Sequence, residues 1–150
     1  MRIFILFLSL LSGLAMAAEY PDSYDPVSEK YNLIGFDALN EKEKAIYTIW
    51  WLEAEVNNGG FHQYFWNSAG DHADTAIRSL KSIGASKTAS LLEKAIEIAF
   101  GGKLPTSRVN RQNQLEIDEE AKMNKLGDLD SEFYKYSENF YKLLDAYVAK

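Results

Sequence analysis

The chain reads as an all-α protein, a single compact bundle of about five to six helices that follows a cleaved signal peptide. Three observations carry that reading. Apolar residues recur at i, i+3, i+4 and i+7 through several stretches, the period of an amphipathic helix. The stretches are punctuated as helices are, with cap candidates at Asn40, Ser68, Asp71 and Ser86 and glycine stops at Gly59-Gly60, Gly84 and Gly101-Gly102. The roughly 130 residues left after the leader suffice for one domain with one core.

Arg2, the apolar run 3–14 and the small-x-small triplet Ala15-Met16-Ala17 have the layout of a secretory signal peptide over residues 1–17. The run is shorter than the roughly 20 residues of a membrane span and no stop-transfer segment follows, so no membrane association is expected after cleavage. The mature protein is expected in an exported compartment, periplasmic or secreted. The chain has no cysteine, which removes lipoprotein attachment, disulfides and thiolate chemistry.

Residues 18–38 carry two prolines, three tyrosines and no sustained period, and are expected as an extended arm or linker. The helical domain is expected over 39–150. Asn40-Glu41-Lys42-Glu43 fits a capping box with Leu39 as a staple, opening a helix that runs to about Asn57. Ala45, Ile46, Ile49, Trp50, Leu52 and Val56 share one broad face of it. After the glycine pair, Phe61, Tyr64 and Phe65 recur at i, i+3, i+4 on a short second helix. Asn67-Ser68-Ala69-Gly70-Asp71 breaks the pattern. A third helix over 71–84 turns Ala73, Ala76, Ile77, Leu80 and Ile83 inward. A fourth, capped by Ser86, carries Leu91, Leu92, Ala95, Ile96, Ile98 and Ala99 over a wide arc, as a helix touched from two sides does. Residues 107–126 are helix-prone but weakly amphipathic, and Leu129, Phe133, Tyr136, Phe140, Leu143, Leu144 and Tyr147 predict one last helix with a buried stripe.

The chemistry-bearing side chains concentrate at the glycine pair. Residues 56–71 hold four aromatics together with Asn57, Asn58, His62, Gln63 and Asn67. Glu53 falls inside the apolar face of the first helix. The reading it favours is structural, with its carboxylate accepting backbone N–H bonds at the start of the short helix after Gly60, because helix N-termini attract anions. A functional alternative makes it a general base or ligand facing His62, and a third lets it reach solvent at the rim.

Metal binding is not expected, since His62 and His72 are the only histidines and no Cys exists. No strand-turn-helix elbow surrounds Ser68 and no phosphate-cradling glycine motif follows a strand, so neither a nucleophilic triad nor a cofactor is expected. Without Arg2 the chain has 15 basic against 22 acidic residues, a formal charge of −7. That balance argues against direct nucleic-acid binding. Glu116, Asp118, Glu119, Glu120, Asp128, Asp130 and Glu132 cluster within one short segment, either as a solvated face or as a surface whose carboxylates stand in for phosphates and bind a basic protein.

Glu55-Val56-Asn57-Asn58-Gly59-Gly60-Phe61-His62-Gln63-Tyr64-Phe65-Trp66-Asn67-Ser68 resembles the signature of the bacterial DNA-mimic-protein family. Weaker similarity extends it through Leu39-Asn40-Glu41 with Lys44-Ala45, Ile83-Gly84-Ala85, and Leu129-Asp130-Ser131-Glu132-Phe133-Tyr134, covering roughly 39–148. The resemblance implies an all-helical domain that dimerises and, in the founding member, an acidic surface that occupies the DNA-binding face of a transcription factor. The expectation is therefore an exported, non-enzymatic protein-binding module, acting through its acidic side or through a cleft beside residues 57–67. The alternatives are a small hydrolase or ligand-binding enzyme using Glu53, His62 and Asn67, and an immunity-type inhibitor of an exported toxin.

The leader yields a direct test. Mature protein should begin at Ala18 or Glu19, and an intact mass from the exported fraction that still includes Met1 would overturn the assignment.

Overall fold

The computed structural model describes residues 23–150, so the expected signal peptide lies outside the described residues. Among the described residues there is no strand, and seven α-helices pack around one core. They are α1 (Tyr24–Ile34), α2 (Glu41–Trp66), α3 (Ala73–Ile83), α4 (Ser86–Phe100), α5 (Arg108–Glu116), α6 (Glu119–Phe133) and α7 (Phe140–Val148), with 3-10 turns at Phe36–Ala38 and Ser68–His72. The central α2 packs against each of the other helices.

The stretch expected as an extended arm contains α1. Pro26 misled the reading, but it sits in the first turn, where a helix has no use for the missing N–H. Tyr24 and Val27 are buried. Tyr24 stacks on Trp50 with centroids 3.9 Å apart, Tyr31 stacks on Tyr47 at 4.5 Å, and Lys30 pairs with Glu43 at 2.8 Å. The same Glu43 completes the expected capping box, accepting the Asn40 N–H at 2.9 Å while the Asn40 side chain accepts the Glu43 N–H at 3.0 Å.

The helix break at the glycine pair is present as a kink inside α2. Gly60 has φ 73° and ψ −177°, a region open essentially to glycine alone. Helical geometry resumes after it, so Phe61, Tyr64 and Phe65 all turn into the core and are at most 1% exposed.

Two expected caps have other tasks. Ser86 makes no cap hydrogen bond, and the start of α4 is held instead by Glu138, which accepts the N–H groups of Lys87 and Thr88 and the Thr88 hydroxyl at 2.9–3.0 Å. Burial opposes the charge on Glu138, but these donors prevail and hold its carboxyl below the ordinary range. Asp71 likewise does not cap α3 and faces α5. The α4 expectation is met: it packs on α2, α3, α5 and α6.

The last two expected helices are three. Ser107 caps α5 by accepting the Asn110 N–H, and the chain then turns through Asp118 at φ 52°, a left-handed position that Asp tolerates better than most residues. What reads as one helix over 129–147 is the end of α6, a loop, and α7. Phe133, Phe140 and Leu144 are buried as expected, but Tyr136 lies in the loop at φ 45° and is 42% exposed. Asn139 opens α7 by accepting the Lys142 N–H at 3.0 Å.

The two glycines should differ on substitution. A Cβ at Gly60 would lie 2.2 Å from the Asp130 carboxylate in a backbone region closed to alanine, whereas one at Gly59, in extended backbone open to any residue, meets the Gln63 side chain from Oε1 at 2.1 Å to Cβ at 2.9 Å. Gly60→Ala should cost about 1–3 kcal/mol from its backbone alone and Gly59→Ala less. Chemical denaturation that found the two variants equally stable would contradict this ordering.

Candidate functional site

The kink in α2 sets its two arms against α6, α7 and α5, and each arm carries polar side chains into those contacts. Asp130 of α6 accepts the Phe61 N–H at 2.8 Å, so the carboxylate at the start of the second arm is Asp130 and not Glu53, the residue expected there. Burial raises the Asp130 carboxyl above its ordinary range, with the Phe61 N–H and nearby His62 acting in the opposite sense.

Glu53 is 5% exposed and looks the other way, toward the loop between α6 and α7. Its Oε1 accepts the Tyr136 hydroxyl at 2.7 Å and its Oε2 accepts the Tyr141 hydroxyl. Asn57 donates to the Tyr136 oxygen at 2.7 Å, and the Tyr134 hydroxyl donates to the Val56 carbonyl at 2.8 Å. Burial first, and the adjoining Glu53 carboxylate second, push the Tyr136 hydroxyl up to about 12 against the opposing Asn57 bond. Tyr136 is therefore a donor that keeps its proton at neutral pH.

Glu55 organises a second set across the kink. Its Oε2 accepts the Gln63 amide at 2.7 Å and the Asn67 amide at 2.9 Å, tying positions eight and twelve residues apart to one oxygen. Gly59 leaves the room that Gln63 occupies.

The C-terminal end of α2 is closed by α5. Arg111, 1% exposed, donates to the carbonyls of Phe65 at 2.9 Å and Asn67 at 3.1 Å and to Asp71 at 2.6 Å. Gln112 donates to the Trp66 carbonyl at 3.0 Å. These donors meet the orphan carbonyls of a helix end, where a cation also matches the helix dipole. Burial opposes the Asp71 charge, and Arg108 and Arg111 outweigh it, holding the carboxyl below its usual range. Gly70 lets the chain pass beneath this arginine, since a Cβ there would lie 2.7 Å from the Tyr64 carbonyl.

The alternative partnership of Glu53 with His62 is not formed. His62 stacks on Trp66 in the second arm and points Nε2 to 3.5 Å from Glu119 Oε1, while His72 stacks on Phe36 with centroids 3.6 Å apart. Asn58 is exposed. Two shallow grooves of about 360 and 520 Å³ lie elsewhere, the first lined by Ser86, Lys87, Ser90 and Lys94 among others, the second by Asp74, Arg78, Glu93 and Glu97. Neither includes a residue of 53–67.

Of the acidic segment, Glu116, Asp118, Glu119 and Glu120 are exposed about the junction of α5 and α6, and Asp128 is exposed farther along α6. Glu132 is exposed and paired with Lys135 at 2.5 Å. Asp130 does not belong to that surface, because it turns inward to Phe61.

Sequence reasoning missed Glu55, Arg111, Tyr136 and Tyr141 as partners in these networks. For Arg111 a signal existed: it precedes Leu115 by one turn, and these two are the buried residues of α5.

A family model described as DMP19-like protein matches residues 37–150. No curated protein and no solved structure matches the chain.

Glu53→Ala leaves two tyrosine hydroxyls without their acceptor and should lower stability by about 2 kcal/mol, whereas Asn58→Ala at an exposed position should stay within about 0.5 kcal/mol of the parent. If urea unfolding gave Glu53→Ala the parent's stability, the tyrosine network would contribute nothing to the fold and residues 53–67 would again stand as a working site.

Proposed function

The chain belongs to the DMP19-like protein family, and we propose that it is an exported, non-enzymatic helical module that binds a basic protein through the acidic surface at the junction of α5 and α6. One observation carries the reading. Apart from His62, the side chains of the central motif that could do chemistry are spent on the fold: Glu53 on two tyrosines, Asn57 on Tyr136, and Gln63 and Asn67 on Glu55. The acids at 116, 118, 119, 120 and 128 face solvent instead.

An exposed row of carboxylates offers a basic partner what a phosphate backbone offers, namely closely spaced anions, and this is the sense in which the DNA-mimic character of the family supports the reading. Net charge points the same way, with 16 basic against 22 acidic residues over the whole chain. Such contacts are rim-like and solvated, so they speed association and select for charge more than they add affinity. The motif then serves the surface indirectly, by fixing α6 against α2.

The test uses partner captured from the exported fraction. At pH 8, reversing Glu116, Glu119 and Glu120 to lysine should leave the melting temperature nearly unchanged and weaken capture by about tenfold or more, an effect that fades at high salt. Double-stranded DNA should compete for the same partner. Undiminished capture by the triple variant, with Glu29, Glu41 and Glu97 reversed as the control, would remove the acidic surface from the function.

A further inference from the structure

We infer that His62 and Glu119 form a proton-operated latch that fastens the start of α6 to the second arm of α2. His62 Nε2 is buried and has no hydrogen-bond partner. It stands 3.5 Å from Glu119 Oε1, close enough for an ion pair but without the alignment of a hydrogen bond. A buried, unpaired ring nitrogen carries an unmet desolvation cost. Protonation turns it into a charged donor aimed at a carboxylate.

From α6, His62 faces Glu119 and senses Asp130, both acids. Among the cations of α5 and α6, Lys122, one turn after Glu119, donates to the Gln114 carbonyl, and Arg108 and Arg111 hold Asp71. Trp66 stacks on the ring and fixes its plane. Glu119 itself sits just after Asp118, at the first position of α6, and is exposed.

Imidazole changes charge in the mildly acidic to neutral range, where most carboxylates are already ionised. Since the protonated ring is the form that gains the partner, the stabilisation is present at low pH and is lost as pH rises. Closing the latch also draws Glu119 out of the exposed acidic row. The latch does not depend on that row having a partner, so its test reads folding and not binding.

The experiment is a double-variant cycle of His62→Gln and Glu119→Gln, with thermal melting of all four proteins at pH 5.5 and pH 8. At pH 5.5 the two sites should be coupled by about 2–4 °C, and at pH 8 the coupling should vanish. Coupling of equal size at both pH values, or none at pH 5.5, would overturn the latch. Its failure would leave the acidic-surface reading standing, and loss of partner capture by the charge reversals would not establish the latch.

Discussion

The structure depends on the break in α2 at Gly60. At 100° per residue, a straight helix of this length would turn Phe61, Tyr64 and Phe65 well away from the face that carries Ile49, Leu52 and Val56. The glycine-only conformation at φ 73° re-aims the second arm so that its aromatics enter the same core from another direction. The break also frees the Phe61 N–H, and Asp130 comes from 69 residues away to accept it. That one bond ties the middle of the chain to α6. Neither partner tolerates a side chain between them, since a Cβ on Gly60 would occupy the space of the carboxylate.

From that break follows a set of exposed helix ends, and the polar residues of the motif are where they are because such ends must be satisfied. Arg111 and Gln112 supply three donors to the carbonyls of residues 65, 66 and 67. A buried guanidinium would be costly by itself, but Asp71 partners it, and generally it is removal of one member of such a pair that is destabilising, by about 3–5 kcal/mol. Glu55 and Glu53 follow the same logic with opposite sign. Each is a carboxylate in a low-dielectric surround, and each is surrounded by neutral donors, two amides in one case and two phenols in the other. Neutral donors disperse the charge without a counter-ion, which suits a site that holds elements together better than one that must exchange protons with a substrate.

What the sequence made legible were features whose cause is local. The capping box at Asn40 and Glu43, the stops at Gly60, Gly84 and Gly101, and the inward faces of α2, α3 and α4 all follow from spacing and from the chemistry of a few adjacent residues. The readings that failed were those whose cause lies far along the chain. Periodicity ran unbroken from Leu129 to Tyr147 because two helices joined by a short loop can keep their apolar positions in phase. The loop was marked only by Asn139 and by residues with distant tasks, Tyr136 reaching Glu53 and Glu138 reaching the start of α4. Glu53 was recognised as anomalous in its apolar stripe, yet nothing near it in sequence announces two tyrosines more than eighty residues away. Helix α1 was hidden by Pro26, which counts against a helix only beyond the first turn.

The division between fold and function in this chain is therefore one of solvation. A polar group that is desolvated must be matched within the protein, and once matched it has little capacity left for anything else; this is the condition of Glu53, Glu55 and Arg111 and, half-buried, of Asp130. The acids at 116, 118, 119, 120 and 128 keep their water and contribute little to stability, and on the proposed reading they trade that water for a partner's cations. His62 stands between the two classes, with one ring nitrogen withdrawn from solvent yet unmatched, beside a carboxylate of the solvated row. It is the point at which a change outside the protein, in proton activity, can move a residue from one class to the other.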